Sequence, residues 1–109
     1  MKAALLTLAL LCGSAHAEFY TGNELLQRLN SDILAERSAG IGYIMGVADS
    51  GHGVSYCPPE NATSGQMRDM VRNYLTNLPA VRHLSADSLV THVLKSQWPC
   101  AARTPGRQL

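Results

Sequence analysis

The sequence predicts a small all-α domain, a bundle of about four helices stapled by one disulfide. Three observations predict it. Two capping boxes, at Thr21 and Thr63, each open a run of apolar residues at helical spacing. The segment Gly40–Asp49 is apolar and carries no charge before Asp49, as expected of a helix in the middle of a bundle. Finally, two cysteines, Cys57 and Cys100, remain once a leader is set aside.

The leader is residues 1–17. Lys2 supplies a positive start, Ala3 to Leu11 an apolar stretch, and Ala15-His16-Ala17 a small-residue cleavage site, the pattern of a secretory signal peptide. The stretch is too short for the roughly 20 apolar residues that span a bilayer, and no later segment approaches that length. The expected organisation is therefore a signal peptide over 1–17, a folded domain over 18–100 and a frayed tail over 101–109. The expected location is outside the cytoplasm.

Thr21 as N-cap and Glu24 three residues on begin the first helix, whose Leu25, Leu26 and Leu29 share a side. Asn30, Ser31 and Asp32 supply a turn and the next N-cap. The second helix then runs from about Asp32 to Asp49. Gly40, Gly42 and Gly46 would each cost about 1 kcal/mol in an exposed helix, which suggests close approach by neighbouring helices. A buried strand over Gly40–Asp49 is the alternative, since continuous apolar runs do not distinguish the two.

Ser50 to Ala62 contains Gly51, Gly53, Pro58 and Pro59 and reads as the longest loop, tied at one end by Cys57. Thr63 with Gln66 caps the third helix, where Met67, Met70, Val71, Tyr74, Leu75 and Leu78 recur on one face and Arg68, Asp69, Arg72, Asn73 and Thr76 lie opposite. Pro79 stops it. Ser85 caps a fourth helix with Leu89, Val90, Val93 and Leu94 inward, ending before Pro99.

Composition narrows the function. The chain has nine Lys and Arg against eight Asp and Glu; without Lys2 it is neutral, with charges interspersed. Nucleic acid and anionic membrane surfaces need clustered cations, so neither is expected as a partner. An even cysteine count in a small exported chain reads as a disulfide. Joining Cys57 to Cys100 closes a loop of about 44 residues, worth about 4 kcal/mol in the chain-entropy model. A catalytic Cys57 thiolate would leave Cys100 idle. A hydrolase needs a nucleophile, a base and an orienting group, whereas His52, His83 and His92 are scattered and form no ligand set. No enzyme activity, cofactor or metal is expected.

The pieces Thr21-Gly-Asn-Glu-Leu-Leu26, Gly42-Tyr-Ile-Met-Gly-Val-Ala-Asp49, Tyr56-Cys57-Pro58, Thr63-Ser-Gly-Gln-Met-Arg-Asp-Met-Val71, Arg82-His-Leu-Ser-Ala86 and Trp98-Pro-Cys100, in this order, resemble the Rap/Tai family of type VI secretion immunity proteins. The resemblance implies a helical domain, often a homodimer, that binds and silences a peptidoglycan amidase of the papain-like cysteine hydrolase kind in the periplasm. It also implies two further cysteines, one after the Leu-Leu pair and one before the Gly-Tyr-Ile run. This chain has Leu29 and Gly40 there, so both partners of a first bridge are missing together.

An inhibitor needs a complementary surface. A chain this size exposes about 5,000 Å², of which a standard interface takes about 800 Å² per partner. The expected contact residues are Asp49 and His52 near the loop and Arg68, Asp69, Arg72 and Asn73 on the third helix. A solvated helix face and a plain connector are the alternatives for these two groups. Two other functions remain open: a periplasmic acid-stress chaperone similar to the HdeA-like proteins, and a family member with a different binding role.

Overall fold

Four helices form the molecule in the computed structural model, which describes residues 19–101. The expected signal peptide, and the expected tail beyond Ala101, lie outside those residues. The helices are α1 (Gly22–Leu29), α2 (Leu34–Gly51), α3 (Ser64–Asn77) and α4 (Ala86–Gln97), with a 3₁₀ turn at Pro79–Val81 between the last two. All four pack on one another around a single core. None of the described helices is long and apolar enough to cross a membrane.

Both capping boxes are formed at their threonines. Thr21 Oγ1 accepts the Glu24 N–H at 3.3 Å and Thr63 Oγ1 accepts the Gln66 N–H at 3.1 Å, each satisfying one of the free donors of a first turn. Two more donors of α1 are met from outside the helix. Gly22 N–H donates to the Leu84 carbonyl at 2.9 Å and Asn23 N–H to that of Arg82 at 2.8 Å, while Ala86 N–H returns a bond to the Tyr20 carbonyl at 2.7 Å. The starts of α1 and α4 are thereby sewn together through backbone. The approach is close enough that a Cβ on Gly22 would stand 2.9 Å from the Arg82 oxygen and 2.6 Å from Leu89 Cδ1.

Burial follows the expected stripes on three helices. Leu25, Leu26 and Leu29 of α1, Met67, Val71 and Leu75 of α3, and Leu89, Val90, Val93 and Leu94 of α4 are all buried. Leu78, expected on the inner face of α3, is 43% exposed, because the helix ends at Asn77 and Leu78 leaves the helical path.

The second helix corrects several expectations. It is a helix, not a strand, but it is not buried all round: Gly40, Ile44 and Ala48 form one buried stripe, while Gly42 and Gly46 face open space with nothing within 4 Å of a Cβ. A charge-free run need not be buried all round, because Gly42 and Gly46 carry no side chain and face water at no hydrophobic cost. Close approach holds at Gly40, where Leu29 Cδ2 would lie 3.1 Å from a Cβ.

The start of α2 also differs. Ile33, not Asp32, is the N-cap, with no side-chain cap of its own. Ser31 does the work from two residues back: its Oγ accepts the Ile33 N–H at 3.1 Å and donates to the Glu36 carboxylate. At the other end the helix continues past Asp49 to Gly51, taking Ser50 and Gly51 from the expected loop.

Ser85 sits at the N-cap of α4, yet its side chain caps no backbone N–H. It donates to Asp87 Oδ1 at 2.7 Å, and that same oxygen accepts the Ser88 N–H at 2.8 Å. The carboxylate of the first turn has taken over the capping, favoured there by the helix dipole.

Candidate binding surface

The loop after α2 is anchored by three devices. Tyr56 is 1% exposed, its ring lies where a Cβ on Gly51 would be, and its hydroxyl donates to the Val47 carbonyl. Cys57 bonds to Cys100, the pairing expected, and its N–H donates to the Trp98 carbonyl at 2.8 Å. The segment between α2 and α3 is thus fixed to the end of α4.

Fixing this segment forms a cleft of about 380 Å³ between the last turns of α2, the loop and the first turn of α3. Ala48 and Met67, both buried, and the half-buried Met45 line it on the apolar side. Asp49, His52 and Glu60, all exposed, line it on the polar side. Of the six expected contact residues, the structure brings Asp49 and His52 together here.

Arg68, Asp69, Arg72 and Asn73 do not line this cleft. Four-residue spacing pairs Arg68 with Arg72 on one flank of the α3 core stripe, and Asp69 with Asn73 on the outward face. Arg68 Nε donates to Asp69 Oδ1 at 3.0 Å. That hydrogen bond holds the Asp69 carboxyl below its ordinary range, against slight desolvation and with help from the charges of Arg68 and Arg72. The Arg72 Nε is buried without an acceptor. The six residues therefore form two groups, a cleft pair and a helix-face quartet.

Glu60 and Met67 join the cleft although the sequence does not mark them for it. Met67 reads as core from its period, and Glu60 is one charge in a proline-rich loop. The turn signal of Pro58-Pro59, which sends the chain back across α2, is what could have flagged Glu60.

Other clefts carry different chemistry. One of about 280 Å³ beside α1 is lined by Tyr20, Glu24, Arg28 and Glu36, with the Arg28 guanidinium 4.7 Å above the Tyr20 ring. Another, of about 320 Å³ between α3 and α4, is lined by Met70, Tyr74, His92 and Val93, with the Tyr74 and His92 rings 5.5 Å apart. His52, His83 and His92 lie on the first cleft, in the loop before α4 and on α4. Among the described residues no group of three His, Cys, Asp or Glu side chains could hold a metal ion.

The described residues form a small all-α domain stapled by one disulfide, with an anchored loop and open clefts. The particular family is shown by sequence: the family model for Rap1a immunity proteins matches residues 21–100, and the chain belongs to that family. No curated protein matches the chain. Membership makes the chain an immunity protein that binds a partner effector, and proteins of this family are not usually catalytic.

Proposed function

We propose that the protein is exported to the periplasm, where it binds and inhibits a peptidoglycan amidase effector delivered by type VI secretion. It thereby protects its cell from self or sibling intoxication. The family match over residues 21–100 carries this reading. The leader-like residues 1–17 and the disulfide are consistent with an oxidising compartment. In this reading the protein does no chemistry; it covers the cleft of a papain-like cysteine hydrolase. It works as a monomer or a homodimer.

Two surfaces support the contact: the polar residues of α3, with Arg68 and Arg72 on its flank and Asp69 and Asn73 facing outward, and the cleft pair Asp49 and His52. Both are held by elements that need little reordering on binding, which keeps the entropic cost low.

The test is to mix the purified protein with a small cysteine amidase encoded beside its gene and follow release of cell-wall stem peptides. Stoichiometric inhibition is expected. Arg72→Glu should weaken binding by several kcal/mol if α3 is central, measured by calorimetry. An unchanged dissociation constant would remove α3 from the contact, and failure to inhibit any such amidase would refute the reading. Suppression of acid-induced aggregation of unrelated proteins would instead point to a chaperone.

A further inference from the structure

The cleft at the end of α2 has a composition that selects an occupant. Its floor is apolar: Ala48 and Met67 are 4% and 5% exposed, and Met45 beside them is an unbranched, polarisable side chain that adapts to differently shaped partners. Its rim carries two carboxylates, Asp49 and Glu60. Among the described residues neither has a cation against it, since the one ion pair there joins Arg68 to Asp69. The last turn of α2, which carries Asp49, contains no basic residue. An apolar floor under an uncompensated negative rim is complementary to an apolar side chain next to a positive one.

We propose that this cleft receives a basic segment of the bound effector, with one apolar side chain on the Met45, Ala48 and Met67 floor and an adjacent Lys or Arg against Asp49 and Glu60. The assignment rests on the effector-binding reading above and adds the chemistry of the partner's docking segment. The contact needs no rearrangement of the loop, which Tyr56 and the Cys57–Cys100 bond already hold.

Two measurements test it. In the first, the ¹⁵N-labelled protein is titrated with two capped tetrapeptides, Gly-Leu-Lys-Gly and Gly-Leu-Glu-Gly. The lysine peptide should shift the amide resonances of Asp49, His52, Glu60 and Ala62, and the glutamate peptide should not. Equal shifts from both, or shifts elsewhere, overturn the proposal. So does binding that emerges only after deletion of residues 102–109, because the tail with Arg103 and Arg107 would then be the occupant.

In the second, the Asp49→Lys/Glu60→Lys variant is assayed against an amidase that the wild type binds. Both positions are exposed, so the fold should survive, and its melting temperature is checked. The dissociation constant should rise at least about tenfold, with the loss falling as salt rises. An unchanged constant overturns the docking assignment and leaves the immunity reading intact. If the wild type binds no amidase the immunity reading fails, and the peptide titration still decides the cleft.

Discussion

Two regions of this molecule solve the same problem by different means. Where the loop meets the end of α4, Cys57 and Cys100 are joined covalently, with Tyr56 buried beside them. Where α1 meets α2, the two positions at which the family resemblance implies a first bridge hold Leu29 and Gly40 instead. Here the Leu29 side chain packs on Gly40, with its Cγ 3.5 Å from where a Cβ would be. A Leu29 methyl occupies the space beside Gly40, and the glycine leaves room for it. The two solutions differ in what they do to the unfolded chain. A bridge restricts it; a leucine on a glycine stabilises only the folded contact. The α1 region should therefore open more readily than the loop that carries the cleft.

The largest effect tests the covalent region. Cys57→Ser/Cys100→Ser should lose about 4 kcal/mol in urea unfolding, the value of a loop of about 44 residues. A loss below about 1 kcal/mol would show that Tyr56 and the Cys57 N–H to Trp98 carbonyl bond hold the loop unaided. Next comes restoration of the missing bridge. In Leu29→Cys/Gly40→Cys the oxidised form should exceed its own reduced form by about 3 kcal/mol, for a loop of about 12 residues. Comparing the two forms of one variant cancels the lost leucine packing. If the bridge does not form, the two positions are not the geometric equivalents of a disulfide pair.

A smaller effect separates the glycines of α2. Gly42→Ala and Gly46→Ala should each add about 1 kcal/mol, because both face open space in a helix interior. Gly40→Ala should instead destabilise, since its Cβ meets Leu29 at 3.1 Å and Arg28 Cβ at 3.3 Å. Thermal melts of the three variants check the sign. Should Gly42→Ala or Gly46→Ala stabilise the fold yet weaken amidase binding, that bare face of α2 also belongs to an interface.

How far the sequence can be read depends on whether a signal is local. The third helix is legible because its cap, its stripe and its stop all lie within residues 63–79. So is the disulfide, because a count of two leaves one pairing. The start of α2 is not, because Ser31 and Glu36 do the capping around an Ile33 that cannot. Its end is not, because Gly51 stays helical under a Tyr56 ring that comes from the following loop. The same division runs through the binding surface. Asp49 and His52 lie on neighbouring turns and are found together, whereas Glu60 and Met67 reach the cleft by tertiary folding alone. The contact of Leu29 with Gly40 has no periodic signature, and resemblance alone pointed to those positions.

The α1 side has one further support, and its titration gives the smallest effect. The Tyr20 and Tyr43 rings are 5.0 Å apart, and Arg28 covers Tyr20, so Tyr43 links α1 through α2 to Asp87 at the start of α4. Burial pushes the Tyr43 phenol above its ordinary pKa of 10.0, and the Asp87 carboxylate adds to this. The Asp87 N–H opposes the shift, and Tyr20 adds slightly to it. Because the folded state holds this proton more tightly than the unfolded state, the associated stability is complete below pH 10.0 and is lost as the pH rises through the raised value. Tyr43→Phe removes the titration. Its unfolding free energy should fall less steeply than wild type as the pH rises above about 10, with Tyr20, Tyr56 and Tyr74 as a common background. Matching alkaline slopes would show that the phenol ionises equally well in both states. The packing of Leu29 on Gly40 would then hold the α1 side without help from the Arg28, Tyr20 and Tyr43 stack.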